Sequence, residues 1–574
     1  MARKRPGASG LDPHAHRDAL VALLRAATAE PDLTAARLDR LLKAHPHAGR
    51  GPFPRDVVVA AYRAFAGTAG LPPFDPGVLE RLRLNPVRSR SGVTPVAVLT
   101  KPYPCPGACV FCPTDVRMPK SYLSDEPGAQ RAARQGFDPY RQVSVRLEAL
   151  RAVGHPVDKV ELIVLGGTWS AYPEPYQIWF VKRLFDALND FGARDAGGAP
   201  AGGVATHAPA GDPADSPATS DDRAAWDDLA CAQRANEAAA CRCVGLSVET
   251  RPDHVDAGEV RRLRRLGVTK VQLGIQSLDD AVLAANRRGH DVAHTRRAMR
   301  LLRQAGFKLQ AHWMPNLLGA TPDGDRADYR RLWDDPDIRP DELKIYPCAL
   351  VAGTDLAAHH RAGRWRPYDR AAMVDLLADC FTATPAWCRL TRVIRDIPAT
   401  DIVAGDIPTN LRQAVERRLA ERGLASRDIR AREVRGRVVD PAALAHDTIR
   451  YAAGTGDEVF LALVTSDPDP RLAAFLRLSL PGPAATPLFD ALAGAAIIRE
   501  LHVYGQAVEI GAALPGKAQH AGLGGRLIAQ AVRIAAVEGY PRLAVISAVG
   551  TRGYYRRHGF VDAGCYQVRA LAGR

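Results

Sequence analysis

At 574 residues, with 47% hydrophobic and 24% charged residues, the chain has ordinary globular composition and enough length for two to four domains. Its 77 Lys and Arg against 63 Asp and Glu leave a formal net charge of +14, which favours a polyanionic partner, nucleic acid ahead of an anionic membrane. Ten cysteines, three of them clustered, suit a reducing compartment and argue against a disulfide framework; no apolar h-region follows MARKRPGASG and no apolar run approaches a membrane span, so a soluble cytoplasmic protein with no membrane partner is expected.

Residues 1–90 read as a small helical module. Apolar residues recur at helical spacing in Ala19–Ala29 and in Ala36–His45, with Asp32 and Thr34 suited to capping. The first fifty residues hold nine Lys/Arg against five Asp/Glu, and Arg55, Arg63 and a run from Arg81 to Arg90 follow. A solvated helical surface and a phosphate-contacting face explain this charge equally well.

Next comes KPYPCPGACVFCPTDVRMPKSY (101–122), which sets Cys105, Cys109 and Cys112 in a C-x-x-x-C-x-x-C spacing. Three thiolates on a short loop can hold three corners of a [4Fe–4S] cluster and leave the fourth iron open to a substrate, whereas an electron-carrying cluster is normally closed by four cysteines. A three-ligand zinc knuckle and bystander thiols are the alternatives.

From Val93 to about Arg395, short apolar runs alternate with amphipathic helices, the pattern of a parallel (β/α) sheet. Strands are expected at Val96–Leu99, Val160–Leu165, Cys243–Val248, Lys270–Ile275, Lys308–Trp313 and Glu342–Tyr346, six units that fit a partial barrel, with Pro95 just ahead of the first. Chemistry in such folds gathers where strands end. There the chain places Gly166, Gly167 and Thr168; Glu249 to Asp253, including Arg251; Gln276 and Ser277; and Met314, Pro315 and Asn316. Glycines let backbone amides approach a ligand, and the carboxylate, amide and guanidinium groups can orient its polar ends.

Residues 193–240 are rich in Ala, Gly, Pro and Asp, with no apolar periodicity until Trp226, and read as a disordered surface insertion; Cys231, Cys241 and Cys243 near its end read as buried or bystander thiols. Residues 396–445 read as a basic connector whose arginines, with Arg392 and Arg395 just ahead of it and Arg412, Arg427, Arg430 and Arg432 within it, line a nucleic-acid path or pair with Asp396, Asp428 and Glu433.

Beyond residue 446 the pattern changes again. Val459–Val464, Ala473–Leu480 and Ala496–Tyr504 read as strands of an antiparallel-rich sheet; Gln519, His520, Ala521, Gly522, Leu523 and Gly524 then open a helix, Gly525–Val537, and a strand follows at Leu543–Val549. A Q-x-x-G-x-G turn at a helix N-terminus offers free N–H groups and the positive end of the helix dipole, which suits a pyrophosphate. This turn resembles the acetyl-coenzyme A loop of the GNAT acetyltransferases, and Thr551 to Tyr555 at the next helix start fit a tyrosine near the thioester.

The cysteine spacing, with Phe111 before the last cysteine, resembles the signature of the radical S-adenosylmethionine (SAM) superfamily. The joint pattern from about Asn85 to the C-terminus resembles the catalytic subunit of Elongator and its stand-alone archaeal and bacterial relatives, the tRNA uridine(34) acetyltransferases. The motifs that carry the resemblance are PKSY at 119–122, VDKVELIVLGGT at 157–168, GLSVETRPD at 245–253, LGIQS at 273–277, LKIYP at 343–347, RDIP at 395–398, RELHVYG at 499–505 and VISAVGTRGYYRRHGF at 545–560. Outside the 193–240 insertion, it implies a partial (β/α)6 TIM-like radical SAM barrel at 91–395 and a GNAT α/β acetyltransferase domain at 446–574; the helical module at 1–90 is read as tRNA-binding on its basic charge.

Carried over residue by residue, the resemblance implies that Cys105, Cys109 and Cys112 hold the [4Fe–4S] cluster. SAM would lie over Gly166, Gly167, Thr168, Glu249, Arg251 and Gln276, and Lys159 would reach acetyl-CoA. Glu500, Leu501, His502 and Val503 would pair with the pantetheine arm, Gln519, Gly522, Leu523, Gly524 and Gly525 would hold the pyrophosphate, and Tyr555, with Tyr554 beside it, would stand at the thioester. The implied reaction turns the wobble uridine of a tRNA anticodon stem-loop into 5-carboxymethyluridine, with an electron donor required and a homodimer compatible. Departures are Pro113-Thr114-Asp115 where relatives carry Pro-Gly-Gly, and Ser426 where some carry a zinc-binding cysteine; Cys348, His359, His360, Cys380 and Cys388 fit no zinc template, so no zinc is assigned. A protein lysine acetyltransferase and a non-catalytic tRNA-binding scaffold are the rival functions.

Overall fold

The computed structural model describes residues 11–30, 33–47, 51–84, 92–195, 222–395, 397–405, 410–435, 439–504 and 522–571. Helices Arg17–Ala29, Ala35–Ala44, Arg55–Phe65 and Pro76–Leu82 close around Leu20, Leu24, Leu38, Val58, Tyr62 and Leu82, and Thr34 caps the second by accepting from the Arg37 N–H at 3.2 Å. Asp32 lies outside the described residues. Arg83 anchors the module to the barrel by donating from Nε to the Gly154 carbonyl at 2.8 Å.

The barrel sheet holds β1 (Thr94–Leu99), β2 (Lys159–Leu165), β3 (Arg242–Thr250), β4 (Lys270–Gln276), β5 (Lys308–Trp313), β6 (Glu342–Ile345) and β8 (Arg389–Arg392), parallel and in that order; β7 (Leu350–Val351) and β9 (Ile402–Ala404) form a separate antiparallel pair. The six expected strands are present, but the half-barrel has a seventh. Its sequence, RLTR, is short and charged, and it becomes a strand because β6 offers it a free edge. Pro95 lies inside β1, which is tolerated because β1 is an edge strand.

Two expectations are corrected here. Within the segment read as a disordered insertion, Asp222–Asn236 is a helix that buries Trp226, Leu229 and Ala232 in the barrel core, and the Cys243 N–H donates to Asn236 Oδ1 at 2.8 Å. Its apolar stripe is spaced among alanines, which hides the periodicity; residues 196–221 lie outside the described residues. Within the segment read as a connector, helix Leu411–Glu421 packs on helix Arg370–Ala383 through Leu411, Val415 and Leu419, and Arg418 and Arg422 pair with Asp375 at 2.7 Å. Arg412, Arg430 and Arg432 donate to the carbonyls of Leu390, Thr391 and Ala386, so these three hold the barrel together; Arg392 and Arg427 remain exposed.

The C-terminal sheet runs β10 (Ala445–Ala453), β11 (Gly456–Val464), β12 (Leu472–Pro481), β13 (Ala495–Val503), β14 (Arg542–Val545), β16 (Tyr566–Ala570) and β15 (Val561–Ala563). β13 and β14 are parallel, joined through helix Leu523–Val537, but they pair only from Ala495 to Ile498. Beyond Ile498 the two strands part, and β13 runs on with one side open.

The sheets are welded by buried charge. Arg499 of β13 donates to both Asp341 carboxylate oxygens, at 3.1 and 2.5 Å, and to Glu458 at 2.9 Å. Arg477 of β12 reaches Asp341 at 3.5 Å and Glu500 at 2.8 Å. Gly550 meets the start of β3 so closely that a Cβ there would stand 2.6 Å from Arg242 Cβ.

Candidate functional site

The sites expected from sequence fall at opposite ends of the barrel. At the C-terminal mouth, the loop after β1 carries Cys105, Cys109 and Cys112, all half-buried free thiols. Cys105 Sγ lies 3.5 Å from Thr168 Oγ1, and Arg288 Nη1 donates to Cys109 Sγ at 2.9 Å. Burial, opposed by Lys120 and Arg395, pushes the Cys112 thiol up to about 11. Among the described residues no three His, Cys, Asp or Glu side chains converge as ligands of one metal ion, these cysteines included. A [4Fe–4S] cluster would take one thiolate on each of three different irons, so its ligands need not meet at one point. The all-sulfur donors suit such a cluster, and the buried Arg251 Nη1 and Arg288 Nε, unpartnered among the described residues, supply positive charge beside the sulfurs.

Around the mouth, Gly166 (φ +136°) and Gly167 (φ +90°) hold backbone conformations that side chains rarely adopt, and Gln276 (φ +67°) turns off β4 with its buried Oε1 unpartnered among the described residues. Burial raises the Glu249 carboxyl, against Lys344, Arg395 and Arg288. Arg251 is braced by Asp253, at 2.8 Å, and by the Arg288 carbonyl. Asn316, also expected here, is structural, with its N–H on Asp325 and its side chain on the Cys348 carbonyl. Arg395, read as part of a nucleic-acid path, is instead held by Ser121 and Glu126 and lies over the Tyr122 ring, clamping the PKSY turn beneath Cys112. A Cβ at Gly166 would drive into Thr100 Oγ1. With SAM over this turn, as the family resemblance implies, Gly166→Ala would weaken SAM binding at least tenfold by equilibrium dialysis and leave acetyl-CoA affinity unchanged.

At the other end, where the barrel strands begin, a cavity of about 680 Å³ opens against the stretch of β13 beyond its pairing with β14. Its barrel wall includes Lys159, Lys270, Lys308, Glu342 and Arg389, and its other wall includes Glu500, Leu501, His502, Val503, Tyr554 and Tyr555. Burial lowers the Lys159 pKa, opposed by Asp158. Lys308 bridges Glu500 at 2.5 Å and Glu342 at 2.7 Å, and Lys270 pairs with Glu161 and reaches Glu342 at 3.6 Å. Burial raises the Tyr555 phenol, which stays a neutral donor. Gly522 (φ +73°) opens helix Leu523–Val537 as its N-cap, and Gly524 and Gly525 lie in its first turn, where a Cβ would meet Tyr554 and His558; Gln519 lies outside the described residues.

Lys159 and Leu165 are the ends of one seven-residue strand, so the cavity and the cysteine mouth lie about 20 Å apart. Polar layers fill the barrel between them. Lys270 and Lys308 are in register, then Gln272 and Gln310, while Gln310 faces Glu342 and His312 faces Lys344. Gln310 Nε2 donates to Glu342 at 2.7 Å, Gln272 Nε2 donates to Ser247 Oγ at 2.7 Å, Lys344 donates to Gln272, and His312 lies 3.5 Å from Glu249. Barrel interiors are usually packed with branched apolar residues, so this column is a departure. Sequence reading missed Lys270, Lys308, Glu342, Lys344, Gln272 and Gln310. Their signal was alternation: each is the polar member of an otherwise apolar strand.

Residues 210–323 match the Radical SAM superfamily and 340–421 the Radical_SAM C-terminal domain. The chain is 39% identical to the tRNA uridine(34) acetyltransferase of Dehalococcoides mccartyi over 84% of its own length and 99% of that protein. It is 34% identical to human Elongator complex protein 3, covering 88% and 89%. Among solved structures, archaeal Methanocaldococcus infernus Elp3 with its N-terminus (1–46) deleted superposes with a TM-score of 0.68 at 33% identity, covering 84% of this chain and 99% of that one.

Proposed function

The chain belongs to the family of the tRNA uridine(34) acetyltransferases and Elongator complex protein 3, and on that footing we propose that it converts the wobble uridine of tRNA anticodons to 5-carboxymethyluridine. A [4Fe–4S] cluster on Cys105, Cys109 and Cys112 would, with SAM and an electron donor, supply a 5′-deoxyadenosyl radical able to take hydrogen from the acetyl methyl of acetyl-CoA; the acetyl carbon would then bond to uridine C5, whose hydrogen leaves as a proton while one electron returns to the donor, and thioester hydrolysis by water would leave the carboxymethyl group and coenzyme A. Gly166 and Gly167 let backbone approach SAM, and Glu249, Arg251 and Gln276 orient its polar ends. In the lower cavity, Lys159 and Tyr555 face the thioester while β13 presents backbone to the pantetheine arm. The C-terminal domain is read as GNAT on this basis, with the first turn of helix Leu523–Val537 at the pyrophosphate.

The observation that carries this reading is a single barrel with sulfur donors at one mouth, an acyl-sized cavity at the other and a hydrogen-bonded polar interior between. A lysine acetyltransferase needs neither the cysteines nor that interior. The test is anaerobic incubation of reconstituted protein with SAM, reductant, labelled acetyl-CoA and bulk tRNA, followed by nucleoside mass spectrometry. Labelled 5-carboxymethyluridine is expected; acetylated protein with unmodified tRNA would favour the lysine acetyltransferase, and no turnover of acetyl-CoA the scaffold.

A further inference from the structure

Glu500, His502 and Tyr504 alternate along β13 and so share one face, with Glu500 and His502 on the cavity. Glu500 has the chemistry of a general base but is already committed. Burial works against its charge, yet Lys308 at 2.5 Å on one oxygen and Arg477 at 2.8 Å on the other hold its carboxyl below the usual carboxylate range, and both oxygens are already taken.

His502 is placed differently. Its ring lies parallel to Phe475, 5.8 Å between centroids, and packs at 4.4 Å on Tyr504, which fixes its plane. Its Nε2 is buried and has no hydrogen-bond partner among the described residues. A buried imidazole nitrogen without a partner is costly unless something fills the space it faces. Burial lowers the pKa to about 4; Glu500 and Glu161 pull it up, Lys308 and Arg389 push it down, and the ring is neutral at working pH.

We propose that His502 is the general base for thioester hydrolysis in the lower cavity, a role that deepens the acetyl-CoA reading and rests on it. Nε2 takes a proton from a water whose oxygen bonds to the thioester carbonyl carbon. The C–S bond breaks, and the coenzyme A thiolate leaves and receives that proton from the imidazolium. No electron is exchanged, and the products are the carboxylic acid and the free thiol.

The test uses the full-length protein with acetyl-CoA and bulk tRNA, with coenzyme A release followed by chromatography and acetyl-CoA affinity by calorimetry. His502→Gln keeps an amide near the Nε2 position and removes the basicity; kcat is expected to fall about a hundredfold or more with affinity unchanged. In His502→Ala, added imidazoles should restore the rate in order of their basicity, which a packing role would not produce. Full-rate hydrolysis by His502→Gln, or rescue by imidazoles that ignores basicity, would overturn the proposal while leaving the acetyl-CoA reading intact. Wild-type protein that binds no acetyl-CoA would overturn both.

Discussion

Cys109→Ala is expected to abolish 5′-deoxyadenosine formation and tRNA modification together, by at least about a thousandfold, because two sulfurs cannot keep three corners of a cluster. Cys109 is the middle cysteine of the loop and the one whose sulfur Arg288 contacts at 2.9 Å. Its loss removes a sulfur from the proposed ligand set and leaves the guanidinium without that partner. The same substitution is expected to leave acetyl-CoA affinity unchanged, since about 20 Å of strand separates the mouth from the cavity and distant sites behave independently. Iron and sulfide analysis of anaerobically reconstituted protein, with calorimetric titration of acetyl-CoA, reads both halves. Full iron retention would remove Cys109 from the ligand set; lost acetyl-CoA affinity would mean that the two ends are coupled through the polar layers between them.

Those layers mark the limit of what was legible in the sequence. Six barrel strands stood out because their apolar runs are bounded by turn residues, and the cysteine spacing carries its chemistry locally. Arg389–Arg392 did not, because four residues with two arginines have no apolar signature and become a strand only beside β6. β10 was missed for a related reason: most of Ala445–Arg450 is exposed, so its pattern is polar. Lys308 illustrates the harder case. One lysine at a strand start carries no message until β5 is set beside β6 and β13, and then it bridges Glu342 and Glu500. Lys159 was flagged only through the family motif, and the topology sets it on the lower cavity rather than at the cysteine mouth: it begins the strand that Gly166 follows.

Asp341→Asn is expected to cost about 3–5 kcal/mol at the junction of the two sheets, the usual penalty for removing one partner from a buried ion pair. Asp341 is fully buried, contacts Arg499 and Arg477, and accepts the Leu309 N–H at 2.8 Å. The amide keeps the shape but leaves Arg303, Arg477 and Arg499 with Glu458 and Glu500 as their carboxylate partners among the described residues. The pH dependence fixes the sign. Burial opposes the Asp341 charge, but Arg499, Arg477 and Arg303 hold its carboxyl well below the usual range. Its contribution is therefore fully present above the unfolded value of about 3.9 and lost as pH falls below it. Wild type should exceed the variant by a constant margin from about pH 5 to 8, and the margin should close only in acid. Thermal denaturation across pH, with hydrogen exchange at residues 341–345 and 495–503, measures this; an equal margin at pH 3 would show that the charge is not what the junction uses. Because the same arginine, Arg477, also holds Glu500 at the cavity wall, loosening the junction should shift the cavity floor, and coupled tRNA modification should fall further than SAM cleavage measured alone.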